Sequence, residues 1–240
     1  MDARRPTGAL LVTAGLVYST WLVELLLPTG LDPLSSYVSE LGAEGQPHAW
    51  LFRSGDTVSG GLLMTAALVG SILLREPSTP SAGQVSWRRR LTVPERTHRL
   101  LLACLGLFGL STFVDSIFPM SCTPTHDAAC AARDAAGHVP WTHLVHQGSS
   151  VAAGLCFLAA ALVLLWRHRR CAQAWLLHLL AALWGVMTLG TVVVTLPGVD
   201  AGLMGLLQRT SLLACSAWLV TLGVGWWRKA GAGVPARAAC

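Results

Sequence analysis

Two histidines three residues apart, His143 and His146, stand at the start of an apolar stretch, and other polar side chains border comparable stretches: Glu24, Arg53, Asp56, Asp115, Gln208 and Arg209. Residues three or four apart share a helix face. The two imidazoles therefore project together, and with one carboxylate from a neighbouring helix they form the minimum set for zinc or another divalent metal. In that reading His143, His146 and Asp115 are the ligands, Asp56 is the general base or a fourth ligand, and the metal-bound water attacks an ester or amide. A second reading has no chemistry. Glu40, Arg53, Asp56, Asp115, His143, His146, Gln208 and Arg209 surround a pocket for a small molecule or lipid headgroup, with Arg53 and Arg209 holding an anion. In a third, they are a structural network that fixes helix register, with Arg53 paired to Asp56 within one helix and Arg209 paired to Asp115 or Asp56. The pocket is the leading expectation and the metal-dependent hydrolase the alternative. A structural or assembly protein whose loops dock a partner is a further class.

The elements that must position these residues follow from composition. The chain has 240 residues, of which 53% are hydrophobic and 12% charged, and its mean hydropathy is +0.55. Soluble domains carry about 25% charged residues, so a water-soluble globule is excluded. A helix needs about 20 apolar residues to cross a bilayer, and six windows qualify, at about 8–27, 52–74, 100–118, 143–166, 176–196 and 203–227. The expected fold is all-α: one polytopic bundle of six transmembrane helices, with residues 1–7 before it and a disordered tail over 228–240. The first window is longer than a signal-peptide core and reads as a retained anchor. Small residues such as Gly60-Gly61 and Ala152-Ala153-Gly154 let helices approach closely in lipid. No period-2 alternation suggests a transmembrane barrel.

Orientation follows from the basic residues, which stay on the cytoplasmic side. Arg4, Arg5, Arg75, Arg88, Arg89, Arg90, Arg96, Arg99, Arg167, Arg169, Arg170, Arg228, Lys229 and Arg237 fall at one set of loop ends, fourteen of seventeen in all. Both termini are then cytoplasmic, and Arg53, Arg133 and Arg209 remain outside. This topology accounts for the isoelectric point of about 9.0 without a nucleic-acid partner, leaving the lipid bilayer and a bound lipid or small molecule as expected partners. It also sets every polar residue of the cluster at one depth, the outer third of the membrane. A proton relay would have to continue inward, where only His178 and His98 are available, so a one-sided site is expected.

Cys122 and Cys130 share one outer loop, where they form either a disulfide or two free thiols. Cys104, Cys156 and Cys215 lie within spans and read as packing residues. Cys171 and Cys240 fall on the cytoplasmic side, and no CxxC spacing links any of the seven. The stretch after Arg75, with Pro77, Ser78, Pro80 and Ser81, reads as a flexible loop. Walker, Rossmann, lipase-elbow and zincin motifs are absent from the sequence.

Ser39-Glu40-Leu41-Gly42 is followed by Phe52-Arg53-Ser54-Gly55-Asp56, Gly60-Gly61-Leu62, Asp115-Ser116-Ile117-Phe118-Pro119 and His143-Leu144-Val145-His146. In this order the motifs resemble the six-span bacterial and archaeal membrane proteins grouped as domain of unknown function 998. The resemblance runs from about Gly8 to Trp227. It implies a single six-helix bundle in a cell membrane such as the bacterial inner membrane, and implies no activity. The Pro119-to-His143 connection is longer than that pattern. In residue type the cluster is also similar to the Ser, Asp and His zinc site of alkaline ceramidase-like hydrolases. Those have seven spans and histidines four apart, where this chain has six spans and a spacing of three.

Overall fold

The computed structural model describes residues 4–73, 93–168, 174–196 and 202–231. Among these residues there is no strand. The α-helices are α1 (Arg4–Val17), α2 (Ala49–Leu73), α3 (Val93–Ile117), α4 (Ala128–Ala135), α5 (Trp141–His168), α6 (Trp175–Val194) and α7 (Met204–Gly231), with 3₁₀ segments at Thr20–Leu26 and Val38–Gly42. Six spans are long and apolar enough to cross a membrane, and they coincide with the six windows of the sequence to within a few residues at most ends. Arg75, Arg88 to Arg90, Arg169, Arg170, Cys171, Arg237 and Cys240 lie outside the described residues, as do the loop after Arg75 and most of the expected tail. Helix α7 continues to Gly231, so positions 228–231 of that tail are helical.

The first span departs from a single helix. Helix α1 stops at Val17, where the Ser19 hydroxyl donates to the Gly15 carbonyl at 3.3 Å and the Thr20 hydroxyl to the Val17 carbonyl at 2.6 Å. Hydroxyls that bond nearby carbonyls compete with the helical ladder, and the span finishes as the tighter 3₁₀ segment Thr20–Leu26. Hydropathy is blind to this break because the whole stretch Arg4–Leu26 is apolar enough to read as one span. Helix α4 is also new relative to the sequence reading. Asp127 caps it by accepting from the Ala129 N–H at 2.8 Å, and the buried Cys130 within it is bonded to Cys122. Of the two alternatives for these thiols, the disulfide obtains.

The spans pack in the order α6, α7, α1, α2, α3, α5, and α5 returns to α6 through sparse contacts that close the ring. Two seams are tight because glycine allows them. A Cβ on Gly8 of α1 would lie 2.6 Å from the Gly223 carbonyl oxygen of α7, and one on Gly60 of α2 would lie 2.6 Å from the Gly109 carbonyl oxygen of α3. The main core, including Leu11, Leu63, Leu105, Phe157, Trp218 and Leu219, runs between these seams. A second core of Trp21, Leu31, Leu41 and Phe52 lies under the 3₁₀ segments. The outer faces stay apolar: Leu155, Leu162, Val186 and Leu189 are all more than half exposed. Helix α6 buries only Trp184. Exposed leucine and valine around a ring of long helices suit hydrocarbon as the solvent. The end of the bundle that carries both 3₁₀ segments and α4 is termed the capped end below.

Candidate functional site

A cavity of about 240 Å³ opens inside the capped end, and every one of the six spans contributes to its wall. Its polar lining includes Arg53 and Asp56 of α2, Asp115 of α3, His146 and Ser150 of α5, and Gln208 of α7. Its aromatic lining is Tyr18, Trp21, Phe52, Phe108, Phe157 and Trp184. Ser150 on α5 and Val192 on α6 both border the cavity and are both exposed, so its mouth lies between the two helices that touch least.

Asp115 is fixed from α5. The Ser149 hydroxyl donates to its Oδ1, and the Ser150 hydroxyl donates to its Oδ2 at 3.0 Å. The His146 Nδ1 lies 3.0 Å from the Phe118 carbonyl oxygen, 3.3 Å from that of Asp115 and 3.6 Å from Asp115 Oδ1. Carbonyl oxygens only accept, so Nδ1 carries the proton and Nε2 of the neutral ring is left with a lone pair. That Nε2 is buried and has no partner among the described residues. His143 is the reverse. Its Nδ1 accepts from the Ser121 N–H at 3.2 Å, which puts the proton of the neutral ring on Nε2, 3.8 Å from Asp134 Oδ1.

These tautomers bear directly on the expected metal centre. His143 is fully buried and turned toward the loop around α4, whereas His146 faces the end of α3 and the cavity. The shared helix face is real, yet each ring is claimed by a different piece of backbone. Among the described residues no group of three His, Cys, Asp or Glu side chains is placed to hold a metal ion. The expected ligands His143, His146 and Asp115 are thus not brought together as such a group among the described residues.

Arg209 corrects a second expectation. It pairs with Glu24, not with Asp115 or Asp56: Nε and Nη2 each donate to one Glu24 carboxylate oxygen at 2.6 Å. Nη1 donates to the Ser36 carbonyl at 2.7 Å and reaches the Gly205 carbonyl at 3.3 Å. Both side chains are buried. The cause is the packing order, which sets α7 beside the first span and keeps α2, with Asp56, one helix further round the ring and α3, with Asp115, two. With its fork committed in this way, Arg209 is not placed to hold an anion in the cavity. Arg53 likewise forms no ion pair with Asp56; its Nε donates to the Ser116 carbonyl at 2.9 Å, tying α2 to the end of α3.

Glu40 and Gln208 build the cap. The Gln208 Oε1 accepts from the Val38 N–H at 2.6 Å. The Glu40 carboxylate accepts from the Thr125 N–H at 2.8 Å, from the Thr125 hydroxyl and from the Tyr37 N–H at 3.1 Å. Burial pushes the Glu40 carboxyl above its ordinary value of 4.5, against the opposing pull of those hydrogen bonds. Of the eight expected binding residues, Arg53, Asp56, Asp115, His146 and Gln208 meet at the cavity, while Glu40, His143 and Arg209 support the structure around it. Asp56 stands apart from all of these, because it receives no hydrogen bond and forms no ion pair among the described residues. The sequence reading missed Tyr18, Thr125, Ser121 and Asp134. Only Tyr18, a phenol in the middle of the first apolar window, carried a signal that could have found it.

A family model described as a protein of unknown function (DUF998) matches residues 11–225. No curated protein and no solved structure matches the chain.

Proposed function

The chain belongs to the DUF998 family, and from that premise we propose that it is an integral membrane protein whose cavity at the capped end binds the polar head of a lipid or other small amphiphile. The observation that carries this reading is Asp56, a carboxylate on a membrane-length helix that borders a cavity of about 240 Å³ and has no partner among the described residues. An ionisable group within a span is costly unless something compensates it, and protein elsewhere at this end is well satisfied, as Glu24, Glu40 and Asp115 illustrate. The aromatic wall suits an apolar tail or ring close to the head. A mouth between α5 and α6 lets the ligand arrive from the bilayer without crossing the cap. In this reading the capped end faces away from the cytoplasm. Arg4, Arg5, Arg96, Arg99, Arg167, Arg228 and Lys229 occupy the opposite ends of the described helices, where basic residues mark the cytoplasmic side.

A ligand that binds only the folded state raises stability by RT ln(1 + [L]/Kd), or about 2.7 kcal/mol at a hundredfold excess over Kd. Purified protein in nanodiscs, melted against a panel of lipids that differ only in head group, should show a raised Tm for at least one class. A panel with no shift in any class rejects the binding site and leaves the cluster as a structural network.

A further inference from the structure

The same cavity also carries information about the charge of what it holds. Resting on the reading of the cavity as a head-group site, we infer that the head is an organic ammonium, seated on Asp56 and His146.

The first ground is the charge around the cavity. Two carboxylates, Asp56 and Asp115, line it against one guanidinium, Arg53, whose Nε is given to the Ser116 carbonyl. Neither carboxylate lies within ion-pair distance of an arginine; among the described residues the one arginine–carboxylate pair is Arg209 with Glu24, and the neutral rings of His143 and His146 lie 3.8 Å from Asp134 and 3.6 Å from Asp115. The arginine that might have supplied a positive charge from α7 is committed to Glu24. An anionic head would meet two carboxylates at close range, and like charges brought together are strongly disfavoured.

The second ground is the match of donors to acceptors. The buried unpartnered donor on the cavity wall is the Trp21 indole N–H, from the first span; the Asp56 carboxylate oxygens and the Nε2 lone pair of His146, whose Nδ1–H is already given to carbonyl oxygens, are acceptors without partners among the described residues. An ammonium is a donor with no acceptor capacity, so it completes both. A phosphate or sulfate offers only acceptors and would complete neither.

The third ground is the wall. Aromatic faces attract cations through the ring quadrupole, most strongly once water is excluded, and six aromatic side chains line this cavity. The indole of Trp21 and the phenol of Tyr18 both come from the first span, the phenol in the break after α1 and the indole in the 3₁₀ segment that follows.

The test uses the full chain in phosphatidylglycerol nanodiscs, whose lipid heads carry no ammonium. Four probes are added separately: dodecylamine, butylamine, dodecyl phosphate and dodecanol. The expected result is a raised Tm with an amine and none with dodecyl phosphate or dodecanol. A shift with dodecylamine alone identifies a membrane amphiphile as the source, and a shift with both amines identifies a soluble amine. Asp56→Asn controls for simple partitioning into the anionic bilayer and should weaken amine binding about 10- to 100-fold, the range for loss of one charged hydrogen-bonding partner. Asp56 supports no other side chain, so the variant should match wild type in circular dichroism and elution volume. A shift with phosphate or alcohol but not amine overturns the ammonium assignment and keeps the head-group cavity. An amine shift that persists undiminished in Asp56→Asn also overturns it. No shift with any probe, here and in the lipid panel, removes both. The wild-type arms decide the class of head even where the variant fails to fold.

Discussion

Arg209 and Glu24 show what residue types reveal and what they conceal. An arginine at the start of an apolar helix has to find an acceptor, and that much is legible in one dimension. Its partner is set by which helix lies alongside, which no local spacing encodes; Glu24 is 185 positions away in sequence. The pair is bidentate, buried and backed by two carbonyls, so four of the five N–H directions of the guanidinium are used. Removing one member of a buried pair strands the other charge, at a cost of about 3–5 kcal/mol, whereas replacing both with apolar residues of similar volume is often close to neutral. Arg209→Ala is therefore expected to lose that much stability, and Arg209→Met combined with Glu24→Leu to recover most of it. Denaturant unfolding in detergent reads both. A single variant within about 1 kcal/mol of wild type would mean that water reaches the pair and that it behaves as a surface salt bridge.

Among elements, the close seams decide the helix order, and the helix order decides the cavity. Gly109 of α3 faces α2 so tightly that a Cβ there would sit 2.6 Å from the Leu63 Cβ and 2.7 Å from the Gly60 carbonyl oxygen. Backbone cannot yield as a flexible side chain does. Gly109→Ala is expected to destabilise by about 1–3 kcal/mol through overpacking and to shift α3, which carries Asp115. Gly61→Ala, one position along from Gly60 with nothing within 4 Å of its would-be Cβ, should leave the melting temperature unchanged or slightly raised, since alanine is the better helix former. Equal effects at the two positions would show that the seam is loose. The six spans were legible because bilayer thickness imposes a length that composition alone reveals. The break after Val17 and helix α4 were not, because the first depends on hydroxyls that bond backward and the second on a cap and a disulfide within a polar loop. For the site, depth was legible and convergence was not. Matching depths on six helices leave open which residues face inward, and His143 and His146 separate on one helix face because each answers to different backbone.

For the whole molecule, everything about the cavity's access depends on which way the bundle sits. Close packing of Gly8 against Gly223 puts the start of α1 and the end of α7 at the same end of the bundle. Arg4 and Arg5 therefore lie at the same end of the bundle as Arg228 and Lys229. Arg75, Arg88 to Arg90, Arg169 and Arg170 all belong to loops that an even number of spans returns to that end. The excess of basic residues at membrane-flanking positions is the strongest determinant of orientation, and here it runs fourteen to three. The disulfide in the opposite loop agrees, since such bonds persist in oxidising compartments. Both features predict that a membrane-impermeant maleimide applied to intact cells leaves the wild-type chain unlabelled. Cys122 and Cys130 are bonded, Cys104 and Cys215 are buried and Cys156 lies within a span, and the positive-inside orientation predicts that Cys171 and Cys240 are on the cytoplasmic side. His126→Cys places a thiol at an exposed position of the capped end and should be labelled at once, with Cys171 reacting only after permeabilisation. The opposite pattern, Cys171 modified in intact cells and His126→Cys protected, would turn the cavity toward the cytoplasm and assign its ligand to the inner leaflet.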